Sequence, residues 1–186
     1  MTSNKKLKEK RRKSKEQKKK RNKRKLAYHN YLKPFSQTIG KFYKPMCKEA
    51  YRWMHVPQTD DDFTPQIFQD NDPRSPETIL PPQPDAPDNV VLKYVDYFTL
   101  SNYDTTESAE KSYRYFVDKL RKKKNKSVED FIQNKGGYIV KVNYTEDVVI
   151  INVPDENGHF QALMFENVDY ENLIDKAFVP IKIEIE

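Results

Sequence analysis

The sequence predicts an α+β fold for its C-terminal half, residues 90–186. Segments rich in β-branched and aromatic residues alternate there with segments whose apolar residues recur every three or four positions. The predicted order is strand, two helices, three strands, helix and strand. A small two-layer sandwich, with a mostly antiparallel sheet and helices on one face, buries every apolar stripe in that order. A basic arm, disordered or helical, and an acidic proline-rich linker are expected to precede it.

The first elements of this domain follow from local signals. The run VVLKYVDYF at 90–98 is typical of a strand. Asp104 begins a capping-box pattern, and the helix after it should end in the cationic run 121–124. Ser127 opens a second, shorter helix, which Gly136–Gly137 ends.

The rest of the domain is predicted to be mostly strand. Three strands are expected at 138–144, 148–153 and 159–165. The second is apolar on both faces, which favours a central position in the sheet. A short helix around 169–177 and a strand over 180–186 should close the chain.

Charge divides the chain into four parts. The overall net charge of +6 combines +13 in residues 1–25, +4 in 26–55, −7 in 56–89 and −4 in 90–186. We therefore expect a basic arm, an aromatic-rich helical segment, an acidic proline-rich linker and the α+β domain, with those boundaries.

The segment 26–55 carries aromatic and aliphatic residues spaced mostly three or four apart. This spacing predicts two or three short helices, with Pro45 near the start of the last one, where a missing N–H costs nothing. Such a segment needs a surface to pack against, either the C-terminal domain or a partner.

Residues 56–89 hold eight of the twelve prolines, with aspartates between them. Proline cannot donate to a hydrogen-bond ladder, so an extended, polyproline-like chain is expected. The segment should act as a linker or as a binding strap. Its apolar anchors would be Phe63, Ile67–Phe68 and Ile79–Leu80.

The basic arm is the strongest functional signal. Residues 5–25 contain one apolar side chain, Leu7, and their like charges repel one another unless a polyanion neutralises them. Cations that contact phosphates release condensed counterions, which produces strong, sequence-independent binding. The sequence therefore predicts nucleic-acid binding, without enzymatic activity. The predicted contact residues are Lys10, Arg11, Arg12, Lys13, Lys18, Lys19, Lys20, Arg21, Lys23, Arg24 and Lys25.

Aromatic residues beside cations just after the arm favour RNA over DNA. Tyr28, Tyr31 and Trp53 are candidates for stacking on unpaired bases. The competing interpretation, which the helical spacing favours, is that these rings belong to a hydrophobic core.

Other roles are compatible with the same features. The arm could be a nuclear or nucleolar address, or a tail without a ligand; a membrane partner is not expected, because the arm lacks an apolar face. The chain could instead be an adaptor or subunit that wraps a protein partner through 26–89. A replication or packaging factor of a small mobile genome is a further alternative. The acidic linker could also fold back onto the arm.

Catalytic and metal chemistry find no support in the sequence. Its three histidines lie in separate segments and it has one cysteine, so we predict no catalytic residues, no metal site, no cofactor and no small-molecule ligand. A signal peptide and a long apolar run are not evident either. The expected location is the cytoplasm, or the nucleus or nucleolus in a eukaryote, and not outside the cell.

Overall fold

A seven-stranded antiparallel sheet forms the centre of the structure. The computed structural model describes residues 25–69, 74–123 and 127–185. The strands in these residues are β1 (Lys44–Pro45), β2 (Lys48–Met54), β3 (Leu100–Tyr103), β4 (Tyr138–Tyr144), β5 (Val149–Ile151), β6 (His159–Met164) and β7 (Ile181–Lys182). Their order across the sheet is β1-β5-β6-β3-β2-β4-β7, and every neighbouring pair is antiparallel.

The α-helices of the described residues pack on one face of this sheet. Tyr103 and Ile139 contact one group of helices from that face, and Ile150 and Leu163 contact the other group. The predicted α+β class, with a mostly antiparallel sheet, is therefore confirmed. The helices are α1 (His29–Leu32), α2 (Ser36–Phe42), α3 (Asp88–Val95), α4 (Thr106–Arg121) and α5 (Val128–Lys135).

The opposite face of the sheet is covered by two short 3₁₀ helices. These lie at Asp60–Phe63 and Tyr170–Leu173. Phe63 is buried there with Ala50 and Val142 of the sheet. Both faces of the sheet are thus removed from water, which is the main source of stability for a sheet of this size.

The strand predicted at 90–98 is a helix. Residues 88–95 form α3, and Asp96–Phe98 continues as a 3₁₀ helix. Val91, Tyr94 and Val95 are buried on one side of it, so the spacing of three and four residues outweighs the β-propensity of the valines. A strand, β3, begins at Leu100, just after this segment.

The second half of the segment predicted as helical is a pair of strands. Residues 29–42 are helical, as expected, but Lys44–Pro45 and Lys48–Met54 form β1 and β2, so Pro45 lies in a strand. β2 pairs with β4 over seven positions, from Lys48 opposite Tyr144 to Met54 opposite Tyr138. Apolar residues at spacings of two and four fit both a strand and a helix, and this long pairing decides between them.

The position predicted for β5 is wrong. This strand lies between β1 and β6, next to the edge of the sheet, and β3 occupies the centre. All three of its residues are buried, because Val149 and Ile151 face the 3₁₀ helices and Ile150 faces the α-helices. Apolarity on both sides of a strand therefore reflects two covered faces of the sheet and not a central position.

The C-terminal elements are shorter than predicted. The helix expected around 169–177 is only the 3₁₀ helix at Tyr170–Leu173. The strand expected over 180–186 pairs with β4 only within β7. β4 begins at Tyr138, so the next bond beyond β7 is from the Ile183 amide to the carbonyl of Gly137, which precedes that strand.

The local signals around α4 and α5 are confirmed with one shift. Thr105, and not Asp104, caps α4 by accepting a hydrogen bond from the Ser108 amide. Ser127 caps α5, as predicted, through the Asp130 amide, and Gly136 ends that helix with a positive φ of 72°.

Within residues 56–89 the buried side chains of the described part lie between residues 62 and 69. Two of the predicted apolar anchors, Phe63 and Ile67, are buried. A third, Leu80, is 87% exposed. Residues 70–73 within this segment lie outside the described residues.

Gly136 provides a test of this backbone arrangement. A Cβ atom there would lie 2.0 Å from the Met54 carbonyl oxygen, whereas a Cβ at Gly40, within α2, would meet nothing within 4 Å. We expect Gly136→Ala to lower the free energy of unfolding by more than about 2 kcal/mol, because strain at positive φ adds to the clash. Gly40→Ala should raise it by up to about 1 kcal/mol, since alanine favours the helix. Urea unfolding of both variants measures the contrast, and equal effects would contradict it.

Candidate functional site

The predicted phosphate-binding residues, apart from Lys25, lie outside the described residues. Lys25 sits at the root of the arm, where its ammonium group is 3.1 Å from the Glu166 carboxylate. Its carbonyl accepts a hydrogen bond from the Glu166 amide, and Leu26 forms a β-bridge with Phe165. The arm therefore joins the domain at a defined point, just beyond the end of β6.

Tyr28 and Tyr31 contribute to an aromatic cluster beside this root. The ring of Tyr28 stacks on Phe68 with centroids 4.1 Å apart, and Tyr31 stacks on Phe98 at 5.2 Å. Burial, with a smaller effect from Tyr170, raises the pKa of Tyr28 to about 12. Both rings are partly buried, and each stacks on another aromatic ring of the protein.

Trp53, the third predicted stacking residue, is partly buried and packs against the core. It stacks on Tyr103 at 5.3 Å, and Tyr113, Phe116 and Phe131 approach it edge-on. Its indole N–H donates to the Ala109 carbonyl at 2.8 Å. Trp53 is thus partly buried and packed against the core, as the competing interpretation expects, and its stacking on a base stays a prediction.

A gap in the sheet between β2 and β3 creates a polar site that the sequence did not reveal. The two strands are in register only at Tyr51 and Tyr103. Beyond this pair Arg52 spans the gap, donating from Nη1 to the Ser101 carbonyl and from Nη2 to the Asp62 carbonyl, both at 2.7 Å. Its guanidinium group also lies over the ring of Phe63, at 5.7 Å.

Asn102 and Tyr144 complete the buried polar contacts around this gap. Tyr144 donates its hydroxyl to Asn102 Oδ1 at 2.8 Å, and Asn102 Nδ2 donates to the Leu100 carbonyl at 2.7 Å. Burial raises the pKa of Tyr144, so this hydroxyl stays protonated as a donor. Such a network holds its side chains in defined orientations, because a buried polar group without a hydrogen-bond partner costs free energy.

A cleft of about 470 Å³ opens above the gap. Arg52 and Gln69 line it as buried polar residues, and Arg74, Lys93 and Lys135 add positive charge. Gln69 is held by two bonds of 2.9 Å from its Nε2 to the carbonyls of Asp61 and Thr64. The position of Arg52 could have been found only by assigning β2 as a strand, because Arg52 then shares a face with Ala50 and Met54.

His55 links the covering segment at 59–63 to α5. Its Nδ1 lies 2.8 Å from Asp62 Oδ1, and its Nε2 lies 2.8 Å from the Gln133 carbonyl oxygen. Thr59 Oγ1 lies 3.3 Å from the same Nδ1. The two short contacts are to acceptors, so both can be hydrogen bonds only when the imidazole carries two protons.

The electrostatics of His55 agree with this geometry. Burial alone lowers its pKa, but bonds to the Gln133 carbonyl and the Asp62 carboxylate, with the charges of Asp62 and Asp61, raise it above the ordinary value. The imidazolium therefore stabilises the packing of the 59–63 segment. His159 differs, because burial lowers its pKa.

Other chemistry is not apparent in the described residues. In residues 25–69, 74–123 and 127–185 no group of histidine, cysteine, aspartate or glutamate side chains is arranged to hold a metal ion. None of the helices formed by these residues is long and apolar enough to cross a membrane.

The His55 contact predicts a pH-dependent stability. Its pKa is higher in the folded protein than the unfolded value of about 6.5, so its contribution is complete below that pH and is lost as pH rises through the folded pKa. The difference in unfolding free energy between wild type and His55→Gln should therefore shrink from pH 5.5 to pH 8.5. Urea unfolding across this range measures it, and subtracting the variant removes the opposite effect of His159.

Asp62→Asn gives the matching control for this measurement. Because Asp62 and His55 act through one contact, the double variant should lose less stability than the two single variants together. A difference between wild type and His55→Gln that stays constant or grows with pH would contradict the assignment.

The packing of Trp53 predicts that its fluorescence does not respond to RNA. It is the only tryptophan in the chain, so tryptophan emission reports on this residue alone. We expect saturating single-stranded RNA to leave its emission maximum and intensity unchanged, while Tyr103→Ala shifts the emission by admitting water. Quenching by RNA would show instead that Trp53 stacks on a base.

Comparisons with known proteins complete the description of the site. A scan against protein-family models finds no match to this chain, and searches of curated proteins and of solved structures find none. The charges and contacts of the chain's own residues are therefore the basis for its function.

Proposed function

We propose that this protein is a non-enzymatic nucleic-acid-binding protein that contacts phosphates through its basic N-terminal arm, with RNA favoured over DNA. The observation that carries the proposal is the charge of residues 1–25, which hold 15 Lys+Arg and 2 Asp+Glu. Cations at this density release many counterions from a polynucleotide, so binding is strong at low salt and independent of sequence.

The rest of the chain supports an arm-centred mode of binding. Residues 26–186 hold 19 Lys+Arg and 26 Asp+Glu, so this part is acidic as a whole and should repel a polyanion. The ion pair between Lys25 and Glu166 lies where the arm joins this acidic body. Under the proposal the arm supplies the affinity, and the folded domain limits where the polynucleotide can lie.

The preference for RNA rests on the aromatic residues next to the arm. Tyr28 and Tyr31 follow the last cations of the arm within a few residues and are only partly buried. Rings in this position can add stacking on unpaired bases to the phosphate contacts. Comparing unstructured RNA, single-stranded DNA and duplex DNA of equal length tests this preference.

Salt dependence tests the phosphate contacts. We define the arm variant as Lys18→Gln, Lys19→Gln, Lys20→Gln and Arg21→Gln together. If the four cations each contact a phosphate, the slope of log affinity against log salt should fall in magnitude by about 3. Fluorescence anisotropy with a labelled RNA, titrated at salt concentrations from about 50 to about 300 mM, measures this slope.

A matched variant separates position from total charge. It changes the same number of exposed cations on the folded domain and should leave the slope almost unchanged. Equal slopes for both variants would show that net charge alone drives binding, and unchanged affinity in the arm variant would refute the proposal. The control substitutions are Lys33→Gln, Lys111→Gln, Lys119→Gln and Lys176→Gln.

A second candidate function is that of a subunit that binds a protein partner through the proline-rich segment. Leu80, 87% exposed beside Pro81 and Pro82, is the observation that favours it. Extended proline-rich chain with a protruding apolar side chain suits an aromatic-lined groove. Proteins that copurify with the tagged chain after nuclease treatment, and that Leu80→Asp removes, would support this function.

A further inference from the structure

One edge of the seven-stranded sheet is a strand whose outer side is exposed. β7 is the last strand in the sheet order, and none of the strands formed by the described residues lies beyond it. Both residues of β7 are exposed, and Val179, just before it, is 80% exposed. An open strand edge presents backbone donors and acceptors to a further strand. The outer side of β7 is therefore accessible for pairing.

The register with β4 decides which backbone groups of this edge point outwards. The Ile183 amide donates to the Gly137 carbonyl, in the register that places Lys182 opposite Tyr138. Hydrogen-bonded and non-hydrogen-bonded pairs alternate along an antiparallel ladder, so Lys182 occupies a non-hydrogen-bonded position towards β4. Its N–H and C=O groups point away from β4, and the same alternation turns those of Glu184 outwards.

The side chains of this edge separate into an apolar and a charged face. Ile183 is 6% exposed and is buried with residues of α4, and Ile185 is partly buried against the same cluster. Lys182 and Glu184 are exposed on the other face. Among the ion pairs of the described residues, none involves either of these two charged side chains. Both charges are therefore available to a partner.

The order of these charges is complementary to itself. Three symmetric antiparallel registers bring the outward-facing positions 182 and 184 of two copies together. Two of them place Lys182 opposite Lys182, or Glu184 opposite Glu184, and like charges directly opposite each other destabilise a strand pair. The third places Lys182 opposite Glu184 of the second copy, and the reverse. A lysine usually protects an edge strand from pairing, but in this register the glutamate neutralises it.

We propose that two copies of this chain pair along this edge, as antiparallel strands about a twofold axis at Ile183. Lys182 and Glu184 of the second copy exchange two N–H···O bonds, and the symmetric pair exchanges two more. Ile181 lies opposite Ile185 of the second copy on the apolar face. The contact involves only residues 181–185 of each chain, so a weak dimer is expected, with a dissociation constant on the order of 100 µM. This contact is separate from nucleic-acid binding by the arm.

Sedimentation velocity of the full-length, nuclease-treated protein tests the dimer. Between about 20 and about 500 µM the mass should rise from that of one chain towards that of two, as mass action requires for this affinity. Lys182→Glu and Glu184→Lys should each weaken association about tenfold or more, because each puts like charges in both cross-strand pairs. The double variant with both changes should associate like wild type, since it restores opposite charges.

Matched variants and a mixing experiment locate the contact. Lys111→Glu and Glu156→Lys make the same changes of charge at exposed positions away from β7, and they should leave association unchanged. Lys182→Glu and Glu184→Lys, each monomeric alone, should form a heterodimer when mixed, because two glutamates then face two lysines. A fluorophore on the exposed Cys47 of one variant makes this heterodimer visible in sedimentation.

Three results would overturn the proposal. Wild type that stays a monomer up to about 500 µM would show that the two charges protect the edge from pairing. A dimer that survives both single variants would place the contact elsewhere on the molecule. Mixed variants that remain monomeric would refute the register. The arm variant should dimerise like wild type, so failure of the arm proposal and failure of this one give different results.

Discussion

The pairing of β2 with β4 is the interaction on which the rest of the structure depends. It joins a strand from the first third of the chain to one from the last third over seven consecutive positions. Once this register is set, Ala50 and Met54 face the 3₁₀ helices, and Tyr51 and Trp53 face α4 and α5. A slip of one residue would exchange the two faces, so both covering layers depend on it.

This register also places Arg52 on an inward face. A cation among apolar residues needs neighbouring acceptors, and the divergence of β2 from β3 provides them as the Ser101 and Asp62 carbonyls. The 59–63 segment is held over Arg52 by Phe63 and by the link from Asp62 to His55. The polar cleft is thus a consequence of how one strand is paired.

The distribution of charge along this chain has a different origin from its packing. The arm is basic because of its composition alone. It joins the acidic remainder of the chain at Lys25, beside Glu166. The binding proposed for the arm depends on the density of charge along a polymer.

Features that depend on neighbouring residues were predictable from the sequence. Ser127 and Gly136 mark the ends of α5, alternation marks β4, and the composition of residues 1–25 makes the arm cationic. These signals involve residues that lie close together in the sequence, so a local pattern is enough to predict the features.

The remaining features were decided by contacts between distant segments. Residues 90–98 form a helix because they pack against α2 and the sheet, and residues 48–54 form a strand because β4 pairs with them. The packing of Trp53 against the core and the polar groups around Arg52 follow from the same long-range pairing. The sequence alone determined the ends of α5, the alternation of β4 and the arm's charge, whereas tertiary contacts chose among conformations that the local pattern leaves nearly equal in free energy.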